Sequence, residues 1–141
     1  MTNLSSAGAL AARILLAFMF ILAGWAKLGD IPGNMAYTAS GGLPGFFVFP
    51  AIAIELLGGL AVLVGWQTRW AALLLAAFCV VTGILFHYVP AQALEGYDRV
   101  GQIINFQKNL AIAGGFLVLT AFGPGRFAID ARTAAGRPAL A

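Results

Sequence analysis

Charge, cysteine and histidine are scarce in this chain, and each shortage excludes a class of protein. Charged residues make up 9% of the 141 positions, whereas hydrophobic residues make up 61%. A soluble domain carries roughly 25% charged residues, so this chain has too little charge to cover a surface that faces water. No run of basic residues is present, so nucleic acid is not an expected partner.

The shortage of cysteine and histidine narrows the chemistry further. The single cysteine, Cys79, excludes an intramolecular disulfide, a C-x-x-C redox pair and a zinc site built on cysteines. Cys79 lies in an apolar run, which favours a buried and inert thiol. The single histidine, His87, has no carboxylate pair near it, which disfavours a metal site. We therefore expect no metal ligands and no cofactor intrinsic to the chain.

Long apolar runs are what the sequence has instead. A helix needs about 20 mostly apolar residues to cross the hydrocarbon core of a bilayer. Four stretches meet this length, at residues 9–28, 46–65, 70–89 and 103–122. No small-residue cleavage pattern follows the first, so we expect it to remain as a span and not to be removed as a signal peptide. The predicted fold class is all-α, a membrane-spanning four-helix bundle over residues 1–130 with a flexible cytoplasmic tail at 131–141.

The distribution of arginine and lysine predicts the orientation. Four spans place both termini and the 67–69 loop at the same end of the bundle. That end carries five arginines, and the other end carries three basic residues: Arg13, Arg69, Arg126, Arg132 and Arg137 against Lys27, Arg99 and Lys108. The positive-inside rule then predicts that the N and C termini are both cytoplasmic. In the long loop at the other end, residues 34–40 are predicted to form a short surface helix.

Ionisable side chains within the predicted spans are the candidate catalytic residues. Glu55 lies near the middle of the second span, where a carboxylate is rare and by default marks a functional site. Lys108, in the polar first half of the fourth span, is its expected partner, although its side chain could also extend outward to water. His87, near the end of the third span, could carry a proton or donate a hydrogen bond. The structural alternative is an ion pair that only locks two helices together.

Five further positions are candidate ligand-binding residues. Lys27 ends the first span, and its ammonium group either lines a site or extends to the membrane surface. Asn105 and Asn109 make the first half of the fourth span polar on several faces. Gly58 and Gly59 either leave room for a flat ligand or, more simply, let two helices pack closely.

The order and spacing of short motifs resemble those of the DoxX family of small four-helix bacterial membrane proteins. The likeness covers nearly everything from Arg13 to Asp130. The first span has R-x-L-L…F…G-x-x-K, and the second has E-L-x-G-G followed by G-x-x-T-R. The third ends in F-H, the fourth has N-F-x-K-N-L…G-G, and G-P-G-R…D closes the match: Arg13, Leu15, Leu16, Phe20, Gly24, Lys27, Glu55, Leu56, Gly58, Gly59, Gly65, Thr68, Arg69, Phe86, His87, Asn105 to Leu110, Gly114, Gly115, Gly123 to Arg126 and Asp130.

The resemblance implies a multi-pass protein of the bacterial inner membrane and a link to redox chemistry. The family name comes from a subunit of a thiosulfate:quinone oxidoreductase, and other members are linked to membrane oxidoreductase complexes. The predicted function is therefore a quinone-linked membrane subunit of an oxidoreductase system, with a quinone as the possible cofactor and a redox protein as partner. The alternatives are a binder or transporter of a small hydrophobic molecule, or a non-catalytic membrane scaffold. A homo-oligomer is compatible with each.

Overall fold

Helices of membrane-spanning length account for most of the chain. The structure is a computed structural model that describes residues 2–135, and over these residues it is helical and contains no strand. Its six helices are α1 (Asn3–Leu28), α2 (Ile31–Ser40), α3 (Gly45–Val64), α4 (Thr68–Ala91), α5 (Gly96–Phe122) and α6 (Ile129–Ala135). Helices α1, α3, α4 and α5 are long and apolar enough to cross a membrane. The predicted all-α four-span bundle is confirmed.

The positions at which the helices begin and end depend on capping residues and glycines, which the apolar content of a stretch does not reveal. Thr2 caps α1 by accepting a hydrogen bond from the main-chain N–H of Ser5 at 3.2 Å, and the helix begins six residues before the predicted span. Helix α5 begins at Gly96, seven residues before the predicted start, and the prediction missed its first two turns because they are polar. The helix ends at Phe122 and is followed by Gly123, whose φ of 82° suits glycine. The predicted surface helix is present as α2.

The four spans enclose one apolar core. Phe20 of α1 meets Phe116 of α5 edge to face, with ring centroids 5.3 Å apart. Small residues around these rings let the helix backbones approach closely, as is usual between membrane helices. The buried core residues are Ala17, Phe20, Val62, Ala72, Leu75, Ala76, Cys79, Ala113, Phe116 and Leu119.

A buried arginine ties three parts of the chain together where α3 ends. Arg13 is only 1% exposed, and its guanidinium donates to the carbonyls of Val62 (2.9 Å) and Leu63 (2.6 Å) in the last turn of α3. It also donates to the carbonyls of Pro124 (3.1 Å) and Phe127 (2.9 Å), after α5. The final carbonyls of a helix lack intrahelical partners and carry partial negative charge. Arg13 is therefore a structural clamp and not one of the loop charges counted above.

Asp130 makes a second set of hydrogen bonds at the same end. Its carboxylate accepts hydrogen bonds from the main-chain N–H of Gln67 and Thr68 and from the Thr68 hydroxyl, each at 2.8 Å. Its own N–H donates to the carbonyl of Gly65 at 2.9 Å. We call this end, which holds the start of α1, the 65–67 loop and α6, the arginine end. Helix α6 includes residues 131–135 of the predicted flexible tail, and the rest of that tail, 136–141, lies outside the described residues.

Candidate functional site

Lys27 and Glu55 form an ion pair inside the bundle. The Lys27 Nζ atom lies 2.8 Å from Glu55 Oε1, with the lysine side chain 25% exposed and the glutamate side chain 7% exposed. The close approach of α1 and α3 depends on Gly24, one turn before Lys27. A Cβ atom there would lie 2.8 Å from Leu56 Cγ and 3.1 Å from Glu55 Cβ. The glycine thus lets the last turns of α1 come near enough to the middle of α3 for the pair to form.

The predicted pairing of Glu55 with Lys108 is wrong. Lys108 is exposed on the outside of the bundle and makes no ion pair within the described residues. Its helix, α5, packs chiefly against α4, whereas Glu55 faces α1. Sequence alone places both lysines at suitable depths, but only the packing of α1 on α3 decides which one reaches the carboxylate.

Glu55 and His87 both lie on π-helical turns. One such turn covers Ile54–Gly58 of α3, and the other covers Ile84–Tyr88 of α4. A π turn inserts one extra residue into a helix and redirects the side chains around it, and such turns occur frequently at functional sites. Two helices therefore carry the same irregularity, each at a candidate catalytic residue, and neither π turn is visible in the hydropathy pattern.

Both π turns border a single cavity of about 490 Å³. It lies between α1, α3 and α4 on the side away from the arginine end, and α2 covers it, with the Tyr37 ring stacked on Phe86 at 5.0 Å. We call it the aromatic cavity, because five aromatic side chains contribute to its wall: Phe20, Tyr37, Phe47, Phe78 and Phe86. Lys27 and Glu55 supply the charged groups of a lining that is mostly apolar.

Further polar side chains line the aromatic cavity, among them His87, Asn109 and Cys79. His87 is half-buried, and its Nδ1 is hydrogen-bonded to Gln102 Oε1 at 2.8 Å, which leaves Nε2 for a ligand. Asn109 is the one predicted ligand-binding residue of α5 that reaches the lining. Cys79 also lines it and is 1% exposed, in agreement with the predicted buried thiol.

Four predicted site residues lie outside the cavity lining. Lys108 is exposed on another face of α5, and Asn105 lies one turn before Asn109 on the same face and does not reach the lining. Gly58 and Gly59 are close-packing positions: a Cβ would lie 3.2 Å from Leu75 at the first and 2.9 Å from Ile21 at the second. The simpler explanation of the glycine pair is therefore the correct one, and the prediction that the pair makes room for a ligand is wrong.

One atom of the ion pair is left without a partner. Glu55 is 5% exposed, and its Oε2 is buried and accepts no hydrogen bond from any group among residues 2–135. Leaving a buried polar atom unpaired costs about 1–3 kcal/mol. Native structures keep few such atoms, and each calls for an explanation such as a catalytic role or a bound group.

Comparisons with known proteins agree with this architecture. The chain is 42% identical over 130 residues to the inner membrane protein YqjF of Escherichia coli (strain K12), covering 92% of this chain and 95% of YqjF. It is 34% identical over 126 residues to the inner membrane protein YphA of the same organism, covering 87% of this chain and 88% of YphA. A shorter match, 35% over 69 residues, covers 49% of this chain and 52% of a Bacillus subtilis (strain 168) protein named "Putative oxidoreductase CatD".

No solved structure matches the chain. The family model that matches is that of DoxX, over residues 8–88, which include most of α1, all of α2 and α3, and most of α4. Lys27, Glu55 and most of the residues that line the aromatic cavity fall within the match. With four membrane-spanning helices and near full-length similarity to two inner-membrane proteins, the chain is a multi-pass inner-membrane protein that belongs to the DoxX family.

Proposed function

We propose that this protein holds the headgroup of a quinone in the aromatic cavity, as the membrane subunit of an oxidoreductase system. The observation that carries the proposal is the Lys27–Glu55 pair set into an aromatic wall within the membrane-spanning bundle. A quinone ring is flat and apolar, with carbonyl groups that need hydrogen-bond donors. Aromatic side chains fit its faces, and Lys27 supplies the donor.

The size and position of the cavity support this proposal. Small-molecule sites have volumes of about 300–1,000 Å³ and combine apolar walls with a few polar groups, and the aromatic cavity, at about 490 Å³, falls in this range. Because the cavity lies among membrane-spanning helices, an isoprenoid tail attached to the ring could remain in the lipid. His87 and Glu55 offer groups that can take up or release the protons that accompany quinone chemistry.

Electrons would come from a partner protein. The sequence has one cysteine and one histidine, too few for a dithiol or for a haem held by two histidines. A redox partner accords with the name of the B. subtilis relative, "Putative oxidoreductase CatD". The proposal assigns this chain the quinone and assigns the partner the oxidation of the substrate.

Mass spectrometry of molecules that co-purify with the protein tests the proposal. The variant Ala51→Phe places a ring in the cavity wall, and Ala53→Phe, in the same helix but exposed on the bundle surface, is the matched control. We expect a stoichiometric quinone with the wild type and Ala53→Phe, and none with Ala51→Phe. A different compound lost in the same pattern would favour a binder or transporter. No bound compound, together with a Glu55→Gln variant that is merely less stable, would favour a scaffold.

We also propose that the arginine end faces the cytoplasm. With Arg13 buried, the exposed basic residues of this end within the described chain are Arg69, Arg126 and Arg132. At the other end Lys27 is paired with Glu55, which leaves Arg99 and Lys108 as its basic residues. A green fluorescent protein fused to the C terminus should then fluoresce and an alkaline phosphatase fusion should be inactive. The reverse pattern would overturn this orientation.

A further inference from the structure

We infer that the aromatic cavity recognises a hydroxyl group on an aromatic ring, so that it binds a hydroquinone in preference to the oxidised quinone. This inference rests on the proposed function and concerns the same site. It follows from counting the hydrogen bonds that Lys27 and Glu55 still have to offer, and from the charge that the pair presents to a ligand.

The first step concerns acceptors. An ionised carboxylate has about four lone-pair sites, and Glu55 uses one oxygen, Oε1, for Lys27, while Oε2 accepts nothing from the described residues. This oxygen is buried as it stands, and rotation about the terminal torsion, which is broad in glutamate, would turn it toward a ligand in the cavity. A ligand that donates a hydrogen bond here removes the cost of the unpaired atom. A ligand that can only accept leaves that cost in place.

The second step concerns donors and charge. The Lys27 ammonium has three N–H donors and gives one to Glu55, and its side chain is 25% exposed. The pair has no net charge, so an anionic ligand is repelled by Glu55 and a cationic ligand by Lys27. The complementary group is neutral and both donates and accepts. A hydroxyl meets this description, whereas a quinone carbonyl and an ether oxygen accept only.

The third step concerns the body of the ligand. Five aromatic side chains line the cavity around the pair, including Phe78 of α4 and Phe47 of α3. Offset-stacked and edge-to-face contacts favour a flat ring over a branched aliphatic group. A neutral hydroxyl on a flat ring is a phenol or a hydroquinone, and among quinone-related molecules it is the reduced form.

Three probes that differ only in this group test the inference. A decyl-substituted benzohydroquinone, the corresponding quinone and the corresponding dimethyl ether are titrated calorimetrically into the detergent-solubilised full chain under argon. We expect the hydroquinone to bind at least about tenfold more tightly than the other two, the ratio that one hydrogen bond to a charged group supplies. In Glu55→Gln we expect this preference to fall below about threefold. Lys108→Met, outside the cavity, serves as control and should keep it.

The outcomes separate this inference from the proposed function. Equal binding of all three probes to the wild type, abolished by Ala51→Phe, would overturn hydroxyl recognition and leave quinone binding intact. No binding of any probe would overturn both. Because the comparison of the three probes is made on the wild type, it decides the question even where Glu55→Gln fails to fold.

Discussion

Replacing Arg13 with methionine should destabilise the whole bundle, although the residue lies far from the aromatic cavity. The guanidinium donates four hydrogen bonds to main-chain carbonyls, at 2.6 to 3.1 Å. At a net value of about 0.5–1.5 kcal/mol for each bond, their loss amounts to about 2–6 kcal/mol. Methionine regains part of this because an apolar side chain carries no cost of burying a charge. We expect a net loss of about 3 kcal/mol in the free energy of unfolding.

Two further variants show whether hydrogen bonding is the cause. Arg13→Lys keeps the charge but has three donors and no planar fork, so it should lose about half as much stability as Arg13→Met. Arg126→Met removes an arginine that binds Asn3 on the exposed surface and should cost less than about 1 kcal/mol. Unfolding is followed by circular dichroism during titration with sodium dodecyl sulfate. A loss below about 1 kcal/mol in Arg13→Met would refute the reasoning, because four buried bonds would then contribute no more than one surface contact.

Three further predictions can be tested by the same titration. Lys27→Met and Glu55→Gln should each lower the free energy of unfolding by about 2 kcal/mol, because each leaves a charge or a polar group unpaired. The double replacement should lower it by less than the sum of the two single effects, and strict additivity would contradict this. Asp130→Asn should lose about 1–2 kcal/mol as the cap of α4 weakens, and an unchanged unfolding midpoint would refute that role. Gly24→Ala should lose about 1–3 kcal/mol through overpacking, whereas Gly8→Ala, with nothing within 4 Å of the added Cβ, should be neutral or stabilising; equal effects would count against close packing.

The spans could be predicted from the sequence because the membrane sets their length. Helices α3 and α4 lie within about two residues of the predicted stretches. The starts of α1 and α5 could not be predicted in this way. Apolar content marks only the part of a helix that meets lipid, whereas the first turns of both helices are polar. Thr2 caps the start of α1, and no side chain caps the start of α5.

The candidate site was predictable only in part: Lys27, Glu55, His87 and Asn109 line the aromatic cavity, whereas the other four predicted residues and the pairing with Lys108 do not match it. A carboxylate in an apolar run identifies Glu55 from energetic cost alone. Its partner depends on which helices are neighbours, and hydropathy contains no such information, so Lys108 was expected where Lys27 is found. The two π turns were also beyond prediction, since residues 54–58 and 84–88 have the composition of ordinary helix. The clamp of Arg13 could have been suspected, because it is a charged residue within an otherwise apolar run.

The two ends of the bundle differ in how firmly they are held, and this difference constrains how a ligand could enter. At the arginine end, Arg13 and Asp130 bind α1, α3, α4 and the chain after α5 to one another through main-chain atoms. At the opposite end, the helices surround the aromatic cavity, and side-chain contacts join them: the Lys27–Glu55 pair, the His87–Gln102 hydrogen bond and the contacts of the short α2. The helices are therefore held more firmly at the arginine end than around the aromatic cavity. A molecule arriving from the lipid would separate the helices around the cavity while the arginine end stays closed. The helices would return to their places when the molecule leaves.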